Sequence, residues 1–219
     1  MVHDAAAGYA FLGLGMLHVA QGEDEVGRHL LELALERARM GLPPRLLRPV
    51  QACLAECDLF AGRPDEALGR LDSVLSSPEG REGIDATPLL PLLAWSYLEM
   101  GDTVPAEDTL REALERCRAE QHQLALLDAL RVQALLAIHR ERWEEAAAAL
   151  DEAIALARPM PYPYAEAKAL SVYGTLESVR GKHAKARERY EQALEICRRL
   201  GERQYAQRVE ALLAELPLP

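Results

Sequence analysis

Gly181 to Gly201 reads GKHAKARERYEQALEICRRLG. Between the two glycines, Ala186, Tyr190 and Ala193 stand at i, i+4 and i+7. They form a small–large–small stripe on one helical face, the kind of surface a second helix can approach closely. The same arrangement returns upstream in GEDEVGRHLLELAL from 22, GRPDEALGRLDSVL from 62, GDTVPAEDTLREAL from 101 and ERWEEAAAALDEAI from 141. The small residues Gly27, Ala67, Ala106, Ala146 and Ala186 fall at intervals of 40, 39, 40 and 40. Leu31, Leu71, Leu110, Leu150 and Tyr190 follow four residues later, then Ala34, Val74, Ala113, Ala153 and Ala193.

About a dozen residues before each of these lies another small one: Gly15, Ala55, Ala94, Ala134 and Gly174. Leu14, Leu54, Leu93, Gln133 and Tyr173 precede them, with Phe11, Gln51, Leu90, Leu130 and Leu170 one turn earlier. Each unit is therefore a pair of helices, A then B. Gly22, Gly62, Gly101 and Gly181 break the chain between the two, as residues free to take positive φ. GLPP (41–44), SSPEGREGIDATP (76–88) and RPMPYPY (158–164) separate the units, because proline lacks the N–H and clashes with the preceding turn. The reading is an all-α chain, one domain over 1–219, of five helix–turn–helix repeats at about 4–41, 45–79, 86–119, 121–159 and 163–200. A capping helix at about 202–215 closes it, with Tyr205, Val209, Leu212 and Leu213 on one face.

Composition agrees. Leu, Ala, Glu and Arg dominate, with only two Phe and two Trp, and such residues lose little side-chain freedom in a helix. A net charge of -10 argues against nucleic acid and anionic membrane surfaces, both of which reward cations. No apolar run has the length of a membrane span, and the N-terminus lacks a basic leader. A soluble, cytoplasmic protein is expected. Cys53 and Cys57 share a helical face but have no second ligand pair at a zinc spacing, so they read as small core residues. Cys117 and Cys197, two repeats apart, read as equivalent core positions, and no disulfide is expected in the cytoplasm.

The pattern aromatic-x2-Leu-Gly followed by Ala-x3-aromatic resembles the tetratricopeptide repeat. Phe11-x2-Leu14-Gly15 and Ala186-x3-Tyr190-x2-Ala193 carry it best, with Leu90-x2-Leu93-Ala94-x2-Tyr97 close behind and Trp143 at the aromatic position after the turn. The period is 40 rather than 34, and the proline that often ends a unit is missing. HEAT-type repeats, with periods near 40, are the alternative but account less well for the Gly/Ala positions. A 40-residue period together with MPYPYAEAK and ARERYEQALEICRRLGERQYAQRVEALLAEL is similar to the divergent repeats of bacterial signalling ATPases and MalT-like regulators. That resemblance implies a right-handed α-α superhelix and a module of a larger polypeptide with flanking domains.

The resemblance further implies that the A helices line a concave face. Counted from the small residue of each A helix, the positions three before, one after and four after form a stripe distinct from the packing stripe. Adding residues one turn outward, the expected groove comprises Met16, Phe60, Trp95, Asp128, Arg131, Leu135, His139 and Lys168. Met16, Phe60, Trp95 and Leu135 would hold an apolar group while Arg131 and Lys168 orient an acidic one. The alternative for Arg131 is an ion pair with Asp128 at i,i+3.

No catalytic constellation occurs. LESVRGKH lacks the first glycine and the hydroxyl of a phosphate loop, and no Gly-x-Ser-x-Gly or His-Glu-x2-His is present. His18 and His29 could approach across the first repeat, a weak metal pair, and the acids at 23–25 and 144–145 fit helix N-termini. The expectation is a non-enzyme without cofactor or metal, a scaffold or sensor for a protein, peptide or small effector. The alternative is self-association, as a homodimer or larger assembly through exposed repeat faces such as Tyr9–Phe11–Leu12.

Overall fold

The structure, a computed structural model, describes residues 2–40, 45–76 and 78–217. It is all-α: α1 Val2–Ala20, α2 Asp24–Arg39, α3 Leu47–Phe60, α4 Pro64–Leu75, a short α5 Pro78–Glu82, α6 Leu90–Glu99, α7 Thr103–Ala119, α8 Gln123–His139, α9 Trp143–Ala157, α10 Pro163–Val179, α11 His183–Leu200 and α12 Arg203–Ala214. The chain divides into two compact units, Met1–Thr109 and Leu110–Pro219, with the boundary inside α7. In the first, α1 pairs with α2 and α3 with α4, while α2 packs on α3 and α4 on α6. In the second, α8 pairs with α9 and α10 with α11; α10 also lies against α8 and α9, and α12 follows on α11.

Each hairpin closes the same way. After α10, Gly181 N–H donates to Ser178 C=O at 2.9 Å and Lys182 N–H to Glu177 C=O at 2.8 Å. This pair of bonds, with a left-handed residue between helix end and next cap, satisfies the orphan carbonyls of the ending helix. Gly22, Gly62, Gly101 and Gly181 supply φ of 71° to 83° there. In the fourth repeat a non-glycine, Glu141, takes the position at φ 58°, and Gln121 does so at φ 54° after α7. The expected break is thus real at all five turns, including the one whose sequence has no glycine.

The small–large stripe is the helix–helix contact. Gly15 faces Gly27: a Cβ on Gly15 would lie 3.0 Å from the Gly27 carbonyl oxygen and 2.8 Å from Leu31 Cγ. In the last repeat a Cβ on Gly174 would meet the Tyr190 ring at 2.4 to 2.9 Å, so the missing side chain makes room for the ring. Leu31, Leu71, Leu110, Leu150 and Tyr190 are all buried, as are Ala34, Ala113, Ala153 and Ala193. The first unit's core joins Leu31, Leu35, Leu46, Val50 and Leu54, with Phe11, Leu12 and Val19 packed against it. Cys117 and Cys197 are fully buried, as expected. Burial pushes the Cys53, Cys57 and Cys197 thiols up to about 12 and the Cys117 thiol up to about 11.

Residues 76–88 depart from the reading of a plain break. The chain forms α5 and then a 3-10 turn over Ile84–Leu89. Proline opens such elements readily, because its absent N–H would have no helical partner at the first position. Arg48 pins this insert, donating from Nη2 to the Gly80 carbonyl at 2.6 Å. The break expected at 41–44 lies outside the described residues.

Two glycines separate conformational from packing effects. Gly181→Ala, with nothing within 4 Å of the added Cβ, is expected to cost roughly 1 kcal/mol through φ alone. Gly174→Ala must displace the Tyr190 ring and is expected to cost about 1–3 kcal/mol. Urea midpoints of the two variants at constant slope check the order.

Candidate interaction surface

The expected groove residues range from exposed Met16 and His139 through half-buried Phe60, Asp128 and Leu135 to buried Trp95, Arg131 and Lys168. Met16, on α1, is 50% exposed, with Tyr9, Leu14 and Leu17 exposed beside it. His139 is exposed and Leu135 half-buried on α8. Trp95 differs from the expectation of an open face: it is 2% exposed. Its ring meets Phe60 edge-on at 5.5 Å between centroids, and its indole N–H donates to Glu99 Oε1 at 2.7 Å. The physical reason is that α6 is apolar nearly all round, burying Leu90, Pro91, Leu93, Ala94, Trp95 and Ser96, so no full stripe remains for solvent.

Asp128, Arg131 and Lys168 come together, with both cations buried and the carboxylate half-buried at the edge. Lys168 Nζ donates to Asp128 Oδ1 at 2.7 Å, and Arg131 Nε lies 3.6 Å from the same oxygen. Arg131 is buried while Asp128 is half-buried, so the i,i+3 pair expected from sequence forms with only its acidic end reaching solvent. Burial works against the charged Asp128 carboxyl, yet the Lys168 and Arg131 charges prevail and hold it below the usual carboxylate range. Lys168 also sits over the Tyr164 ring at 5.2 Å, and Tyr164 meets Tyr205 of α12 edge-on at 5.6 Å. The Tyr205 hydroxyl is hydrogen-bonded to Ser171 and lies in the field of Arg131 and Lys168. The cation pair assigned to an acidic ligand is therefore already engaged by Asp128 and covered by a tyrosine of the same chain.

Leu14 and Leu17 mark a different surface. The residue before the A-helix small position is Leu14, 47% exposed, in the first repeat but Leu54 and Leu93, at most 1% exposed, in the next two. The residue two after it is Leu17, 51% exposed, against Ser96, Leu136 and Leu176, all buried. Gly13 and Ala10 are exposed, where Val132, Val172, Ala129 and Ala169 are buried. In α8 and α10 these positions are covered; on α1 the same face is bare at Ala10, Gly13, Leu14 and Leu17 and carries no charge. An exposed apolar patch of this sort marks an interaction site more often than an isolated exposed leucine does.

Two features escaped the sequence reading. Asp58 is completely buried and accepts from three arginines: Arg28 at 2.7 Å, Arg63 at 2.8 Å and Arg70 at 2.6 Å, the last also reaching Glu32 at 3.0 Å. Burial raises the cost of its charge, but the hydrogen bonds from Arg63 and Arg70 and the Arg28 charge hold the carboxyl below its ordinary range. Side chains also latch the hairpin turns at i,i+5: His18 with Glu23 at 2.5 Å, Asp58 with Arg63, and Glu177 with Lys182 at 3.4 Å. Comparing charges five apart across each turn could have found these. His18 thus pairs with Glu23 rather than His29, and among the described residues no three His, Cys, Asp or Glu side chains gather to hold a metal. Nor is any described helix long and apolar enough to cross a membrane.

Comparison with known proteins identifies the architecture. Residues 92–117 match the profile of the tetratricopeptide repeat. No curated protein matches the sequence. Among solved structures, the chain is similar to BtubC (BKLC) from P. vanneervenii: 18% identity, TM-score 0.60, covering 100% of this chain and 85% of that one. It is similar to aspartyl phosphate phosphatase F from Bacillus subtilis at 15% identity and TM-score 0.63, covering 95% of this chain and 55% of that one. A signal transduction ATPase with numerous domains from Pyrococcus horikoshii, bearing a tetratricopeptide repeat sensor, gives 16% identity and TM-score 0.64, over 95% of this chain and 31% of that one. At these identities the likeness is one of fold.

Asp58→Asn is expected to lower stability at pH 7 by about 2 kcal/mol, the scale of hydrogen bonds to a charged group. The wild-type contribution is present above the unfolded carboxyl's pKa and fades as pH falls through the lower folded one. Urea denaturation from pH 7 down to pH 3 should show the two proteins converging; parallel curves would contradict the assignment.

Proposed function

Because this chain has a tetratricopeptide-type repeat fold, we propose that it is a non-catalytic interaction or effector-sensing scaffold, a module of a larger bacterial signal-transduction ATPase or transcriptional regulator. The observation that carries the interaction role is the bare α1 face of Leu14 and Leu17, whose counterparts Leu54, Leu93, Ser96, Leu136 and Leu176 in later repeats are buried, with Tyr9 and Met16 exposed on the same helix. It is shaped to receive another helix by the same small–large packing that joins the repeats, so a helical protein or peptide partner suits it better than a small polar effector. Met16, Leu135 and His139 are the accessible members of the expected groove. Phe60 and Asp128 are half-buried like Leu135, and Trp95, Arg131 and Lys168 shape the A-helix faces from within. The likeness to a repeat sensor in a signalling ATPase supports the larger setting.

The same α1 face supports a second reading, a homodimer. Paired through α1, two copies would make an isologous, closed contact.

Light-scattering mass across a concentration series separates the two, with Leu17→Glu as the control. A constant mass near 24.2 kDa favours a heterologous partner. A mass near twice that, falling on dilution and abolished by Leu17→Glu, favours the homodimer. For the heterologous case, photocrosslinking from position 16 should yield discrete adducts that Leu17→Glu removes. Adducts unchanged by Leu17→Glu would exclude the α1 face.

A further inference from the structure

The apolar face of α1 continues onto α2. In later repeats, the residues three and six after the B-helix small position reach the B helix of the preceding repeat: Arg70 meets Glu32 at 3.0 Å, and Glu152 meets Arg118 at 3.1 Å. On α2 those positions hold Leu30 and Leu33, both half-buried, with Val26, 48% exposed, one turn before. The last repeat shows how the A and B stripes adjoin, with Arg189 lying over the Tyr173 ring at 4.7 Å. The same register sets Leu30 beside Leu14. One apolar face therefore spans both helices: Ala10, Gly13, Leu14 and Leu17 on α1, and Val26, Leu30 and Leu33 on α2.

This face matches itself when one copy is turned end for end. Along α1 the order is small, small, large, large, so reversal about the 13–14 step brings Leu17 onto Ala10 and Leu14 onto Gly13 of the second copy. The space over Gly13 is open, because a Cβ built there meets nothing within 4 Å. Along α2, Glu23, Val26, Leu30, Leu33 and Arg37 follow one another by three or four residues on one face, with Leu30 in the middle. Reversal about Leu30 sets Val26 beside Leu33 and Glu23 beside Arg37. Leu30 and Leu14 stand level, so one two-fold axis serves both helices, and such a contact closes on itself. Glu23 already bonds His18, and Arg37 has interactions within its own chain, so the two ends act through the sign of their charge. Antiparallel pairing puts unlike signs together, whereas parallel pairing would put like signs together and cost affinity.

Resting on the reading of α1 as an interaction surface, we propose that its occupant is a second copy of this chain, paired antiparallel through the α1–α2 face about a two-fold axis level with Leu14 and Leu30. The second copy is favoured over a foreign helix because small residues, large residues and end charges are all matched at one level by symmetry.

Sedimentation equilibrium of the full chain and its variants reads the pairing, with folding checked by circular dichroism. Wild type is expected to reach twice 24.2 kDa and to dissociate on dilution. Gly13→Leu fills open space in the single copy but removes the recess for Leu14, and should weaken the dimer about tenfold or more. Glu23→Lys and Arg37→Glu should each weaken it as well, while an equimolar mixture of these two variants should form a heterodimer tighter than either homodimer. Gly13→Leu decides if the charge variants do not fold. A mixture no tighter than its parents overturns the antiparallel pairing. So does a wild type that stays at 24.2 kDa at every concentration. In that case, crosslinks from position 16 that Leu17→Glu removes keep α1 as a surface for another protein, and crosslinks that Leu17→Glu leaves unchanged end that reading too. A dimer unaffected by both Gly13→Leu and Leu17→Glu forms elsewhere on the molecule and overturns both.

Discussion

Helix pairing here depends on how closely two backbones can come. Where α1 meets α2, the Gly27 carbonyl oxygen stands where a Cβ on Gly15 would lie 3.0 Å away, and a Cβ on Gly27 would touch the Gly15 carbonyl oxygen at 2.9 Å. That approach lets Leu31, Leu35, Leu54 and their neighbours form one apolar layer. It holds only because each turn delivers the B helix at a fixed angle, through two backbone bonds around a left-handed residue. Turn and small residue are one device. The turn sets direction, and the small residue sets distance.

The repeat was legible because this device recurs at nearly constant spacing, and because glycine advertises positive φ at four of the five turns. Glu141 shows the limit. The geometry persists without glycine, so a reader of residues sees only a charged helix start, and the evidence for that turn is the register of Ala134 and Ala146 on either side. The sequence of the long insert at 76–88 reads as a break because proline usually ends helices, whereas Pro78 begins one.

The site was less legible, for a geometric reason. An A helix here is packed by its own B helix and by neighbouring helices, so a stripe avoiding one contact can fall into another. Trp95, Arg131 and Lys168 did so, while Met16 and His139 stayed outside. Accessibility followed position in the array more than residue type: Leu14 is bare and Leu54 covered although both precede the small residue of their A helix. Spacing across the turn could have paired Asp58 with Arg63, but not with Arg70 and Arg28, which lie 12 and 30 positions away on α4 and α2. Tyr205 was assigned to the cap's inward face, but nothing in the repeat register tells which A helix such a cap residue meets.

The cysteines extend the picture to chemical behaviour. A thiol pushed up to about 12 is almost wholly protonated at neutral pH, and only the thiolate attacks electrophiles. The native fold thus keeps all four sulfurs in the unreactive thiol form, Cys117 and Cys197 fully buried and Cys53 and Cys57 half-buried. Cys53 and Cys57 lie on α3, Cys117 on α7 and Cys197 on α11, so three separate stretches of the array each carry a dormant nucleophile. Modification at Cys117 or Cys197, both fully buried, would record an opening of the stretch around α7 or α11, giving the protein a built-in clock for which of the two loosens first.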